Sequence, residues 1–367
     1  MALSPITTLP LELRLRIGEY VSDGDLDSLT KVSKTWRVML SRKLFRRVYF
    51  DNTQRHLGLQ LREFLMGKGD PDKEILRKCV VVATIIIRCD EQPDWTSFST
   101  PARTYEALPS LITDALTSMT SLSVLKLQVD NFTDEQTQEL IYILPQTNVL
   151  SGLCQLRIAG PVTLVSAIVG GCNPDKLKAL HIQGWIDSPE YTAARKHEGL
   201  ERLHLHYDKP DSKRGASLLQ DTTLIYGDFT NLKWLVLSEE DFGEPETDDT
   251  VLRRDDHLTW VITRTINALK STSTLERLAL SLCHDIFDLD VVRRDWSFLY
   301  TPLRPHEITA WYEEIVGCVM DEVPSLQEFW VMDQYPCSYS GIRSSDGEVA
   351  FARHTSRPAG SLIDLLD

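Results

Sequence analysis

One spacing recurs along this chain and governs what it can fold into. The segments LSVLKL (122–127), LCQLRI (153–158), LKALHI (177–182), LERLHL (200–205), LKWLVL (232–237), LERLAL (275–280) and LQEFWV (326–331) all place apolar residues first, fourth and sixth. VATIII (82–87) and FRRVYF (45–50) are looser copies. Side chains alternate along a strand, so the fourth and sixth residues share a face and each copy reads as a short strand with one apolar side. No copy buries that side alone; stacking on its neighbours does. Segments of helical periodicity separate the strands, among them 104–119, 133–144, 256–270 and 305–320.

The pattern is that of a leucine-rich-repeat strand. It predicts an α/β fold, an irregular solenoid with parallel strands inside and helices outside. First positions are 37, 40, 31, 24, 23, 32, 43 and 51 residues apart, against about 20–29 in regular repeats. The Asn that usually stands eight positions after the first Leu is replaced by Asp130, Pro161, Trp185, Asp208, Glu240, Cys283 and Gln334. Insertions are therefore expected between strands, and the register is least fixed at the two ends.

Residues 9–37, LPLELRLRIGEYVSDGDLDSLTKVSKTWR, precede the repeats and punctuate themselves into three short helices. Pro10 suits a first helical position, SDGD forces a turn, Asp25 caps the second helix and Ser33 the third. On helix one, Leu13, Ile17, Tyr20 and Val21 make one apolar stripe, and Leu11 and Leu15 another. About 35 residues are too few to bury both stripes alone. The segment therefore docks on the rest of the chain or binds another protein. The run Leu9-Pro10-x-Glu12-Leu13, Ile17, Tyr20-Val21, Asp25-Leu26, Leu29, Val32-Ser33, Trp36-Arg37 and Leu44-Phe45 resembles an F-box. That is the motif by which substrate receptors attach to the Skp1 adaptor of SCF (Skp1-cullin-F-box) ubiquitin ligases, and the body resembles the irregular solenoids of fungal F-box proteins. The resemblance implies a substrate-recognition subunit of such a ligase. It would contact the adaptor through Leu9, Pro10, Leu13, Ile17, Leu26, Leu29, Val32 and Trp36. A non-ubiquitin interaction scaffold keeps the same contacts and is the alternative. The expected domains are an F-box (1–48), the repeat domain (49–333) and a tail of low order (334–367).

Charge is divided unevenly. Residues 1–50 carry nine Lys/Arg and five Asp/Glu in a chain whose net charge is −14. A helix that reads DNA needs Arg, Asn or Gln facing bases, whereas the second helix offers Leu26, Leu29 and Val32, so no nucleic-acid partner is expected. The longest strongly apolar run, VVVATIII (80–87), is far shorter than a membrane span. No basic and apolar leader follows Met1, which predicts a cytoplasmic or nuclear protein with no membrane partner. The seven cysteines are scattered, with no CxxC pair, and read as reduced thiols.

Two, four and six places after each first residue, side chains face the inner side of the strands. Those positions hold Arg47, Arg88, Lys126, Arg157, Arg202 and Arg277 but only Asp51 and Glu328 as acids. His181, His204 and His206 fall there too. The expected substrate face is Arg88, Lys126, Arg157, His181, Arg202, His204, Trp234 and Trp330, suited to an acidic or phosphorylated segment of a protein partner. The acidic stretch SEEDFGEPETDD (238–249) reads as a solvated loop. His204-x-His206 with Asp208 has metal-like spacing, but a catalytic site needs a third ligand and an open position. No catalytic residue, metal or cofactor is expected: the chain has no G-x-S-x-G, H-E-x-x-H or P-loop.

Overall fold

The computed structural model describes residues 43–67, 69–89, 105–207, 224–239, 274–281, 305–332 and 338–354, isolated positions between 10 and 40, and parts of 262–270. The chain divides into two compact units, residues 1–154 with 158–172 and residues 155–157 with 173–367.

The first unit opens with helical residues at Leu13, Arg16, Ile17 and Tyr20, a bend at Val21, helix again at Asp25, Ser28 and Lys31, and a third time at Leu40, Lys43 and Leu44. The bend falls where SDGD begins. Lys43 Nζ donates to the carbonyl of Val21 at 2.8 Å, a cation on the terminal carbonyl of the first helix, where the helix dipole favours it.

Strands β1 (Arg47–Thr53), β2 (Val82–Arg88) and β3 (Val124–Gln128) follow in parallel, with Tyr49 opposite Thr84 and Thr84 opposite Lys126. Helices α1 (Gln54–Leu65), α2 (Pro71–Lys78), α3 (Leu108–Ser118) and α4 (Asp134–Ile143) intervene, then the single turn α5 (Val149–Gly152) and, after strand β4 (Gln155–Ala159), α6 (Val162–Gly171). The division between units runs through β4. Ala83, Ile85, Ile87, Leu125 and Leu127 point toward the helices and meet Leu57, Leu61, Leu108, Ile112, Leu116 and Leu140, all buried. α1 packs on α3, α3 on α4, and α4 on α6. Helix α4 starts as it does because Thr133 and Gln136 form a capping box, each side chain satisfying a backbone N–H that the helix leaves open.

The second unit holds β5 (Ala179–Gln183), β6 (Arg202–Tyr207), β7 (Trp234–Glu239), β8 (Arg277–Ser281) and β9 (Glu328–Met332), parallel and in chain order. Helix α7 (Pro189–Ala194) follows β5, and α8 (Pro305–Glu322) precedes β9. The turn out of β5 needs glycine: Gly184 sits at φ 146°, a region side chains rarely enter.

Two expectations are corrected here. The copy over 82–87 is framed two residues late: Val80 is buried and Thr84, not Ile86, stands opposite Lys126. A slip of two leaves every side chain on its own face, so alternation alone cannot detect it. The low-order tail gives way over 338–354 to β10 (Ser338–Arg343) and β11 (Val349–His354), an antiparallel hairpin added to β9. Its Ser-rich sequence hides what holds it. Tyr339 stacks on Tyr312 of α8 at 4.4 Å, and Arg343 donates to the carbonyls of Met320, Leu326 and Gly347. Residues 355–367 lie outside the described residues.

Candidate functional site

The amino-terminal helix presents Leu13, Ile17 and Tyr20 at spacings of four and three, hence on one side. They are 48%, 40% and 82% exposed, and Pro10 and Arg16 beside them are exposed as well. Of the two stripes that the sequence distinguishes, this one is open. Leu9, Leu26, Leu29, Val32 and Trp36 lie outside the described residues.

On the inner face of the first unit, the column Tyr49, Thr84, Lys126 is open to half-open. Arg88 stands outside that column, opposite Thr53. Its guanidinium grips Asp51 with both arms, Nε to Oδ1 at 2.5 Å and Nη2 to Oδ2 at 2.6 Å, and Tyr49 Oη donates to the same carboxylate at 2.5 Å. The Arg88 hydrogen bonds hold the Asp51 carboxyl below its usual range, and the bond to Asp51 raises the Tyr49 phenol. Arg88 is therefore committed to a neighbour on the same sheet, so its positive charge is already matched.

In the second unit the strand register builds a ladder across the first inner row. Arg202, Trp234, Arg277 and Glu328 are successive partners. Both guanidiniums lie 4.1 Å from the Trp234 ring centre, an indole held between two cations. Arg277 Nε pairs with Glu328 at 3.2 Å, and Glu328 accepts the Trp330 indole N–H at 2.7 Å. These first-row side chains are half-exposed, as is Arg157.

The next row behaves differently. His181, His204, Val236, Ala279 and Trp330 stand opposite one another strand by strand, and all are buried, His181 at 6%, His204 at 1% and Trp330 at 5% exposure. Val236, Ala279, Trp330 and Met332 form an apolar cluster, and Trp330 stacks on His354 of β11 at 4.5 Å. The sequence places His181, His204 and Trp330 on an open substrate face; the structure places them in a second core. Strands buried on both faces follow the rule for parallel sheets covered on each side.

The histidines contact one another. His181 and His204 rings stack with centres 3.8 Å apart, and Ser238 Oγ bridges His204 Nε2 at 2.7 Å and His206 Nδ1 at 2.8 Å. Asp208 lies outside the described residues, as do 240–249 of the acidic stretch. Among the described residues no group of three or more His, Cys, Asp or Glu could hold a metal ion, and no helix is long and apolar enough to cross a membrane.

With this geometry in hand, the comparisons with known proteins bear on the amino-terminal helices. A family model described as F-box-like matches residues 6–51. Residues 6–51 are an F-box-like domain. No curated protein matches the chain. Among solved structures, the leucine-rich repeat-containing protein LegL7 from Legionella pneumophila aligns over 76% of this chain and 71% of its own, at 11% identity and a TM-score of 0.35. The leucine-rich-repeat-like character of the F-box-bearing chain rests instead on its own parallel ladders and stacked leucines.

Two networks escaped the sequence reading. The first-row ladder was legible only in part: Arg202 and Trp234 were singled out, yet Arg277 and Glu328 occupy the same place in their copies. The second lies off the strands. Gln54 and Gln136 bond reciprocally through their amides at 2.9 and 3.2 Å, and Gln54 also donates to the Asn131 carbonyl at 2.7 Å. Asn131 Nδ2 in turn donates to the Ile87 carbonyl at 3.1 Å. An asparagine does bridge strands here, one place beyond where the repeat pattern directs the eye.

Proposed function

We propose that this chain is the substrate-recognition subunit of an SCF-type ubiquitin ligase. It binds the Skp1-type adaptor through the F-box-like domain and a target protein through the repeat-like units, and has no catalytic chemistry of its own. The observation that carries the reading is the open apolar stripe of Leu13, Ile17 and Tyr20 within the F-box-like match. Fully burying such a side chain is worth roughly 1.5–3 kcal/mol, and Leu13 and Ile17, about half exposed, gain about half of that when a partner covers them. Leu9, Leu26, Leu29, Val32 and Trp36 belong to the same proposed interface. Ubiquitin transfer would fall to the cullin-RING subunits, in the cytoplasm or nucleus.

For the target, the proposal is an acidic or phosphorylated segment. What supports it is the set of basic and aromatic side chains that stay half-exposed on the inner faces, Lys126 on one unit and Arg157, Arg202 and Trp234 on the other. Glutamate at Lys126 and Arg157 removes capture of such a segment without unfolding the chain. The experiment compares wild type with a Leu13→Asp/Ile17→Asp double variant in cells and follows the half-life of proteins bound to the chain. A ligase receptor lengthens the half-life of at least one bound protein in the variant. Bound proteins whose turnover is unchanged identify a scaffold and overturn the ligase reading.

A further inference from the structure

Between β1, the end of α1 and α2, the first unit has a cavity of about 320 Å³ that opens to solvent. Among the described residues it is lined by Phe45, Val48, Tyr49, Phe50, Phe64, Leu76 and Val80, with Lys73 and Arg77 as the charged ones. Phe50 and Phe64 meet edge to face at 5.4 Å and stiffen one wall. A hollow this apolar with two cations and no acid among its described lining residues stands out in a chain with 53 acidic and 39 basic residues.

Arg77 is the decisive group. It is only 4% exposed, and its Nη1 donates to the Phe64 carbonyl at 3.2 Å, near the C-terminal end of α1. That carbonyl supplies a partial charge. A guanidinium has five N–H donors, and no described carboxylate pairs with Arg77. Burying a cation is costly unless an anion completes it. Lys73, one turn earlier on α2, brings a second cation to the same cavity while remaining exposed, so charge is concentrated at one side of an otherwise oily wall.

We propose that this cavity binds a small apolar monocarboxylate, an alkyl or arylalkyl acid. Its carboxylate meets Arg77 and Lys73, and its body fills the space among Phe45, Val48, Phe50, Phe64 and Leu76. The volume lies at the low end of the range for ligand pockets, about 300–1,000 Å³, which limits the ligand to a medium chain or a single ring with a short linker. Lys73 is exposed to solvent, so the buried Arg77 leaves one positive charge to be matched inside the cavity, which separates this class from polyphosphates. The site shares Tyr49 with the first-unit column, none of its lining residues belongs to the Leu13–Ile17–Tyr20 stripe, and its occupancy does not depend on the ligase reading.

The test uses the full chain and four probes: decanoate, 4-phenylbutyrate, and their neutral counterparts decanol and 4-phenylbutanol. Thermal unfolding is followed with each. The two carboxylates should raise the midpoint by ~5–10 °C at a hundredfold excess over Kd, and the two alcohols should not. The shift should vanish in Arg77→Gln and fall in Lys73→Glu, and should persist in Arg55→Gln, on the exposed side of α1. Should Arg77→Gln not fold, Leu76→Trp fills the cavity from a half-buried position and must abolish the shift. Equal shifts from acids and alcohols, no shift from any probe, or a shift that survives Arg77→Gln or Leu76→Trp would each overturn the assignment.

Discussion

Replacing Trp330 by alanine separates a second core from a substrate groove. The indole is 5% exposed, stacks on His354 at 4.5 Å and donates to Glu328 at 2.7 Å. Removing it leaves a void against Val236, Ala279 and Met332. A buried Trp→Ala change costs about 3–5 kcal/mol, and Glu328 loses one of its two donors besides. In a unit of this size about 1 kcal/mol moves the midpoint by ~2–4 °C, so the variant should unfold ~6–20 °C below wild type by circular dichroism. A tryptophan kept on an open face for binding a partner would cost within about 0.5 kcal/mol. Val236→Asp serves as the companion, since it puts an uncompensated charge at a wholly buried position. If Trp330→Ala melts within 2 °C of wild type, roughly 1 kcal/mol or less, the row from His181 to Trp330 is not a core and the burial argument fails.

Gln136→Leu breaks the capping box and leaves the Gln54 amide without its reciprocal partner, which should cost about 1–3 kcal/mol in denaturant titration, while exposed Glu139→Gln on the same helix costs little. Burial pushes the Cys172 thiol up to about 12, so its thiolate fraction at pH 8 is roughly one in ten thousand; mass spectrometry after brief maleimide treatment should find exposed Cys89 labelled and Cys172 intact. Arg343→Met withdraws three bonds to main-chain carbonyls, and hydrogen exchange should then rise across 338–354 before it rises in β5–β8.

The strands were legible because their signal is periodic and repeated. All nine copies coincide with strands β1–β9, and the helical stretch 133–144 contains helix α4, which buries Gln136, Thr137 and Leu140. What could not be read has particular causes. The two-residue misframing of β2 preserves facing, so it put Arg88 on the inner face but two places off in its distance from the start of the repeat. Hairpin β10–β11 depends on contacts with α8, more than fifteen residues away in sequence, and its Ser and Gly content mimics a loop. Burial of His181, His204 and Trp330 comes from what lies over the inner face, and nothing in the local alternation encodes that; a face carrying Val236 and Ala279 in the same row was the available clue. Arg77 gave no signal at all, because a single arginine at the end of a charged helix is ordinary until the fold puts it beside a hollow.

The exposed stripe on the first helix carries the functional account, and adaptor affinity measures it most directly. Purified Skp1-type adaptor should bind the wild-type chain, and Leu13→Asp/Ile17→Asp should weaken Kd by ~10–100-fold, given two half-exposed side chains that each gain about half of the 1.5–3 kcal/mol of full burial. The exposed positions leave the melting temperature unchanged. Undiminished binding by the folded double variant, or no binding by wild type, would contradict the account.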